Sequence, residues 1–216
     1  MTRLLVAVTV FLVAAFGWTF FEYVLHRFAF HETRGKWYGS RQHLDHHTRA
    51  NWIFDRAILL AWFGVLLVGA GLMWGGSALF GPWIGLPWGL GWIFGYFFYE
   101  WHHAQAHLRG PKNRWERFVR KQHFHHHFGH PLRNQGVTTN LWDIVFGTLD
   151  RPDRVRIPSR LAPVWLVDSD GVLLPQYAAD YEVVGRRNRP FERRRDDHDR
   201  SYANEPPIVE IEPTTV

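Results

Sequence analysis

Charged residues are missing from two long stretches of the chain. Leu4 to Phe21 holds none over 18 positions, and Ala57 to Tyr99 holds none over 43. A hydrocarbon core about 30 Å thick is crossed by ~20 apolar residues in a helix. The first stretch therefore predicts one membrane helix, residues 1–25. No small-residue cleavage site follows it, which argues against a removed signal peptide; the chain runs on as "FFEYVLHRFAFH". The second stretch is too long for one crossing and is broken by "GGSALFGPWIGLP" (75–87), so it predicts a helical hairpin over 57–108. Residues 26–56 read as a polar helical segment rich in histidine, and 109–150 as a second one ending in "NLWDIVFGT". Beyond Asp150 the pattern changes. "VWLVDSDGVLLPQY" (164–177) suits a small hairpin around Asp170 and Gly171. "GRRNRPFERRRDDHDR" (185–200) has too few apolar residues to offset the entropy of ordering it. The expected fold is an all-α integral membrane protein with about three transmembrane helices and a cytoplasmic helical cap. Residues 1–150 would form the membrane domain, and 151–216 a cytoplasmic, partly disordered tail able to rest on anionic headgroups.

Charge adds an orientation. Arg27, Arg34, Lys36, Arg41, Arg49 and Arg56 lie in one polar segment, and Arg109, Lys112, Arg114, Arg117, Arg120 and Lys121 in the other. Cytoplasmic loops carry such an excess of Lys and Arg. Both segments then face the cytoplasm and the N-terminus lies outside, with Arg3 mildly opposing. The formal charge is +5, from 25 Lys+Arg against 20 Asp+Glu. These cations flank spans and form no isolated basic domain, so nucleic acid is not an expected partner. With no cysteine, disulfides, thiolate metal sites and Cys nucleophiles are excluded.

The candidate chemistry lies in the histidines. There are 14, and all but His130 and His198 fall in four groups. His26 and His31 form HxxxxH; His43, His46 and His47 form HxxHH; His103 and His107 form HxxxH beside His102; His123, His126 and His127 form a second HxxHH around His125. Residues three and four apart share a helix face, so the last three sets each project together. His102 and His125 fall off the shared faces, and His130 and His198 read as interfacial polar residues. His26 and His31 are five apart, about 140° around an ideal α-helix, so the helix must end or bend between them. Neutral imidazole binds zinc, copper, iron and nickel. Ten in this spacing suit two ions rather than one. Soluble di-iron bundles use a Glu-x-x-His pattern; none lies wholly within these groups, although Glu100 stands three before His103, and an all-imidazole dinuclear site is the better fit. Asp45, Glu100 and Asp143 are the candidates to orient imidazoles through their second nitrogens. A metal transporter would want ionisable residues within its spans, and these two stretches have none.

The order HxxxxH, HxxHH, HxxxH, HxxHH, then "NLWDIVFGTL", resembles the fatty acid hydroxylase branch of the integral-membrane fatty acid hydroxylase/sterol desaturase superfamily. "EYVLHRFAFH" and "FFYEWHHAQAHL" carry the resemblance too, which covers about residues 15–150. It implies a dinuclear non-haem site, with iron when active and zinc able to stand in for it in purified protein. It implies O2 as cosubstrate and hydroxylation of an unactivated C–H bond in a lipid acyl chain, near the carboxyl or amide end, with C2 as one position. It implies electrons from a separate donor, a ferredoxin or a cytochrome b5-type protein with its reductase. The ligands it implies are His26, His31, His43, His46, His47, His103, His107, His123, His126 and His127. Eukaryotic members often carry an N-terminal cytochrome b5-like domain, whereas this sequence opens on a membrane helix. It has three spans where the family has four, which leaves a homodimer open as a substitute for the fourth. β-Carotene hydroxylases and sterol oxidases use related boxes and remain alternatives; the sterol branch usually begins with HxxxH, which counts against it here.

Overall fold

The computed structural model describes residues 2–185 and 191–209. In chain order the elements are α1 (Thr2–Val24), a π-helix (Leu25–His31), α2 (Tyr38–Arg49), α3 (Arg56–Phe80), α4 (Pro82–Leu108), α5 (Arg114–Phe128), α6 (Leu141–Val145), β1 (Val155–Pro158), β2 (Tyr181–Val184) and α7 (Phe191–Tyr202). They divide into two compact units. One comprises Met1–Glu22 and Ile53–His102; the other comprises Tyr23–Trp52 and His103–Val216.

The first unit is built from apolar helices. Among the described residues, two helical stretches are long and apolar enough to cross a membrane, Thr2–His31 and Arg56–Phe80. Their outward faces carry large apolar side chains such as Leu5, Leu12, Val13, Phe63, Leu67 and Leu79. α4 has the length, but its glycines and its indole and phenol groups lower its hydropathy. Small residues let the helices approach closely, as they do where lipid removes the hydrophobic drive between helices. A Cβ on Gly85 would strike the backbone of Gly76 and Ser77, and one on Gly91 would strike the Phe11 carbonyl. Trp18, nearly fully buried, sets its edge against Trp92 and Tyr96, with centroids at 4.8 and 5.2 Å. The break in the hairpin is shorter than 75–87. Gly81 alone interrupts it, at φ 87°, and Pro82 opens α4. Glycine tolerates that backbone conformation, and proline at the first helical position forgoes an N–H that has no partner there anyway.

The second unit holds the histidines. α5 is capped by Asn113, whose Oδ1 accepts from the Glu116 amide at 2.8 Å. One face of α5 presents His123, His126 and His127; Arg120, Phe124 and Phe128 lie on another. The segment after Asp150 covers that second face. Val155, Ile157, Leu166, Val167 and Tyr181 cluster with Phe124 and Phe128. β1 and β2 pair in parallel, with Val155 opposite Tyr181, so the chain is predominantly but not wholly helical. The tight loop at 168–172 forms as expected: Asp168 Oδ1 accepts from the amides of Asp170 and Val172, both at 2.9 Å, with Gly171 at φ 83°.

The described part of 151–216 is not a loose tail. α7 lies within the charge run, and Asp197, Ser201 and Asn204 are buried. The reason is polar pairing that the composition does not display. Asp197 accepts a two-pronged ion pair from Arg160 at 2.8 and 3.0 Å. Residues 186–190 and 210–216, to which the expectation of disorder also applied, lie outside the described residues.

Candidate metal centre

The π-helix answers the five-residue spacing. A π-helix bonds residue i to i+5, and here the Glu32 amide donates to the Arg27 carbonyl at 3.0 Å. Residues five apart then stack, and the His26 and His31 rings sit with centroids 5.2 Å apart. His43, His46 and His47 come from α2, His103 and His107 from the end of α4, and His123, His126 and His127 from α5. A buried ion network ties these last two elements together. Glu116 accepts from Arg109 at 2.8 Å and from Arg120 at 2.9 Å. The Arg109 hydrogen bond, against the cost of burial, lowers the Glu116 carboxyl to a pKa of about 2.

All ten expected imidazoles meet, in two sets of five. One set is His26, His31, His43, His47 and His126; the other is His46, His103, His107, His123 and His127. Within each set the ligand atoms lie within 4.8 Å of one another. In the first set, Nε2–Nε2 separations are 3.0 Å for His26–His43, 2.9 Å for His43–His31, 3.1 Å for His43–His47, 3.1 Å for His31–His126 and 3.0 Å for His47–His126. The second shows 3.1 Å for His46–His103 and 2.9 Å for His107–His123.

These short distances are not ordinary hydrogen bonds. His126 Nδ1 faces the Arg133 carbonyl at 2.9 Å, and His31 Nδ1 faces Asn204 Oδ1, also at 2.9 Å. Each Nδ1 must carry a proton to donate, so in the neutral ring each Nε2 keeps a lone pair. Two lone pairs 3.1 Å apart repel unless a cation lies between them. His26 Nδ1 to the Gln135 carbonyl (2.5 Å), His46 Nδ1 to the Asn51 carbonyl (2.9 Å) and His107 Nδ1 to the Ala50 carbonyl (3.1 Å) repeat the pattern. A metal with nitrogens at about 2.0–2.1 Å places ligands at right angles about 2.8–3.0 Å apart, close to the observed edges. The residues therefore fit a metal in each set. Protonation is opposed as well. Burial, reinforced by neighbouring imidazoles, holds His43, His47, His123, His126 and His127 well below the usual histidine value. Burial lowers His46 to about 4.

The carboxylates expected to orient imidazoles are Asp45, Glu100 and Asp143. Asp45 accepts from Tyr202 Oη at 3.1 Å, and Glu100 from Tyr96 Oη at 3.2 Å. Asp143 acts one step removed. Its oxygens accept from the amides of Gln135 and Gly136, both at 2.8 Å, and from the Thr148 hydroxyl at 2.7 Å. Burial raises its pKa against the pull of these donors. The loop it holds presents the Gln135 carbonyl to His26. Sequence reasoning missed the real acceptors because four of them are backbone carbonyls, which carry no side-chain signature. His125 turns to Asp150 at 3.4 Å, and His130 and His198 are exposed. His102 belongs to neither set of five.

The chain is similar to several known proteins. The fatty acid hydroxylase family model matches residues 11–148. The chain is 33% identical over 153 residues to dihydroceramide fatty acyl 2-hydroxylase FAH1 of Arabidopsis thaliana, covering 66% of this chain and 61% of that one. It is 36% identical over 146 residues to FAH2 of the same plant, covering 64% and 60%. The chain thus spans about three fifths of the length of these relatives. A solved structure described as full-length scs7p, with only the hydroxylase domain visible, superposes with a TM-score of 0.52 at 27% identity, covering 70% of this chain and 59% of that one. The matched stretch contains every imidazole of both sets, and the chain belongs to the fatty acid hydroxylase family.

Proposed function

We propose that this protein is a membrane-bound lipid hydroxylase that inserts oxygen at C2 of a fatty acyl chain, with two irons held by the ten imidazoles. The observation that carries the reading is the pair of five-imidazole sets, in which bare Nε2 lone pairs converge at about 3 Å. The names of the relatives, fatty acyl 2-hydroxylases, supply the substrate class and the carbon. In the balanced reaction one atom of O2 enters the C–H bond and the other leaves as water, with two electrons and two protons taken up. The iron pair supplies the activation of O2, chemistry that side chains alone cannot provide. The protein's own part is positional. Buried Nδ1–H donors on backbone carbonyls hold the imidazoles in one tautomer, and the low-polarity surroundings keep them unprotonated. The electrons come from a separate donor. α1, α3 and α4 cross the bilayer, the basic segments lie on the cytoplasmic side with the metal centre, and the acyl chain enters from the membrane.

The test is untargeted lipid mass spectrometry on membranes of cells making wild type, His126→Ala or no protein, grown with iron and air. The expected result is one acyl-lipid class that gains a single oxygen only with the wild type, with fragments placing it at C2. If instead only added β-carotene were oxidised, the acyl assignment would fall and the carotenoid alternative would replace it.

A further inference from the structure

His31 is held differently from the other oriented imidazoles. His26, His46, His107 and His126 direct Nδ1 at backbone carbonyls. His31 directs Nδ1 at a side chain, Asn204 Oδ1, at 2.9 Å. The other end of the same amide, Nδ2, donates to the His31 backbone carbonyl at 3.1 Å. This pairing is self-consistent in one sense only. A backbone carbonyl only accepts, so the NH2 faces it and the amide oxygen faces the ring. That oxygen only accepts, so Nδ1 carries the proton and Nε2 is left bare toward the first set. One side chain thus fixes both the backbone and the tautomer of His31.

Asn204 lies beyond the stretch matched by the family model, 173 residues from its partner. It takes the left-handed conformation, φ 59°, which asparagine tolerates better than most residues. The segment that carries it is seated on α2 by contacts of its own. Ser201 Oγ donates to the Leu44 carbonyl at 2.6 Å, inside the first HxxHH motif. Tyr202 Oη donates to Asp45 at 3.1 Å, and its ring lies against Gly35, where a Cβ would collide with it. Arg160 clamps Asp197 one helical turn earlier.

We propose that Asn204 is a positioning residue of the metal centre, so that the C-terminal segment, outside the family core, completes the first five-imidazole set. This rests on the reading that both sets hold metal.

The experiment uses the full chain in detergent, loaded with 57Fe, and reads iron content against a competing chelator together with the Mössbauer spectrum. In Asn204→Ala, one of the two irons should bind about 10–100-fold more weakly, the usual range for losing a group that orients a ligand. One iron signal should change while the other stays as in wild type. Ser201→Ala, which loosens the segment without touching His31, should keep both signals. Asn204→Asp, which can still accept from Nδ1, should recover most of the affinity. If Asn204→Ala does not fold, Asn204→Gln carries the same test, because it moves the amide by one methylene while keeping it buried and polar. Wild-type iron affinity and spectrum in the Ala or Gln variant overturn the proposal. So does an equal loss in Ser201→Ala, which would mark the contact as scaffold only. A wild type that binds no iron overturns this proposal and the metal reading together, whereas an unaffected variant overturns this proposal alone.

Discussion

Asp143 is the most informative residue to remove, because it touches no metal-facing atom. Its carboxylate takes hydrogen bonds from the Gln135 amide, the Gly136 amide and the Thr148 hydroxyl. Asp143→Ala leaves three buried donors without an acceptor, at about 1–3 kcal/mol each when stranded. Partial relaxation brings the total to roughly 3–5 kcal/mol, a large share of an ordinary stability of about 5–15 kcal/mol. At about 2–4 °C per kcal/mol for a chain of this size, the melting temperature should fall by roughly 6–20 °C. Asp143→Asn divides the effect. Gln135 and Thr148 both use Oδ1 and can keep their acceptor, while Gly136 faces Oδ2 and would meet an NH2. That variant should lose about 1–3 kcal/mol. Because the same loop presents the Gln135 carbonyl to His26, Asp143→Ala should also weaken iron binding in the first set. The assay is thermal unfolding of both variants in one detergent, with iron per chain measured after chelator challenge. Equal melting temperatures for wild type and Asp143→Ala, with full iron retention, would refute the reasoning.

Three further outcomes follow from the geometry. His126→Ala removes two of the short Nε2 edges, and iron per chain should drop from two toward one, with loss of lipid hydroxylation; two tightly held irons in the variant would remove His126 from the ligand set. For pH, the buried imidazoles have folded pKa values below the unfolded value of about 6.5, so as pH falls through that value the unfolded chain takes up protons the folded chain refuses. Metal-free protein should lose stability as pH drops from about 7 toward 5, by up to about 1.4 kcal/mol per pH unit for each such histidine; a flat thermal stability across that window contradicts it. In the apolar unit, Gly85→Val should destabilise by about 1–3 kcal/mol through overpacking against Ser77 and Gly76. Gly75→Ala, which meets nothing within 4 Å, should gain about 0.5–1 kcal/mol of helix stability; the reverse order in thermal unfolding would contradict the packing.

The histidine spacings were readable because a helix converts i, i+3 and i+4 into one face, so the gathering of imidazoles from α2, α5 and the end of α4 was legible from spacing. The apolar helices were readable for a similar reason, since water-facing helices of 18 or 43 residues need charge on their outer faces and these stretches carry none. The requirement for a distortion between His26 and His31 was also legible, but not its form. What escaped sequence reading shares a cause. The Ala50, Asn51, Arg133 and Gln135 carbonyls act through the main chain, which every residue possesses. Asn204 acts across 173 positions, and no periodicity links it to His31. Asp45 and Glu100 were drawn in by proximity along the chain, and each accepts a hydrogen bond from a tyrosine that the spacing did not point to. The segment after Asp150 misled because its order rests on a few buried polar pairs and on apolar residues spread thinly between 155 and 183.

The π-helix has a consequence for how this protein can change. It is in effect an α-helical turn with one residue added, so the count of residues between His26 and His31 matters more than their identity. Deleting any one of Arg27, Phe28, Ala29 or Phe30 would let the turn relax to ordinary winding. The two imidazoles would then be neighbours at i and i+4 and would still share a face, as they do five apart in the π-turn. The turn thus has room to lose one residue, whereas a further inserted residue would swing His31 about 100° away from His26. The gap between these two histidines should therefore tolerate the loss of one residue better than the gain of one.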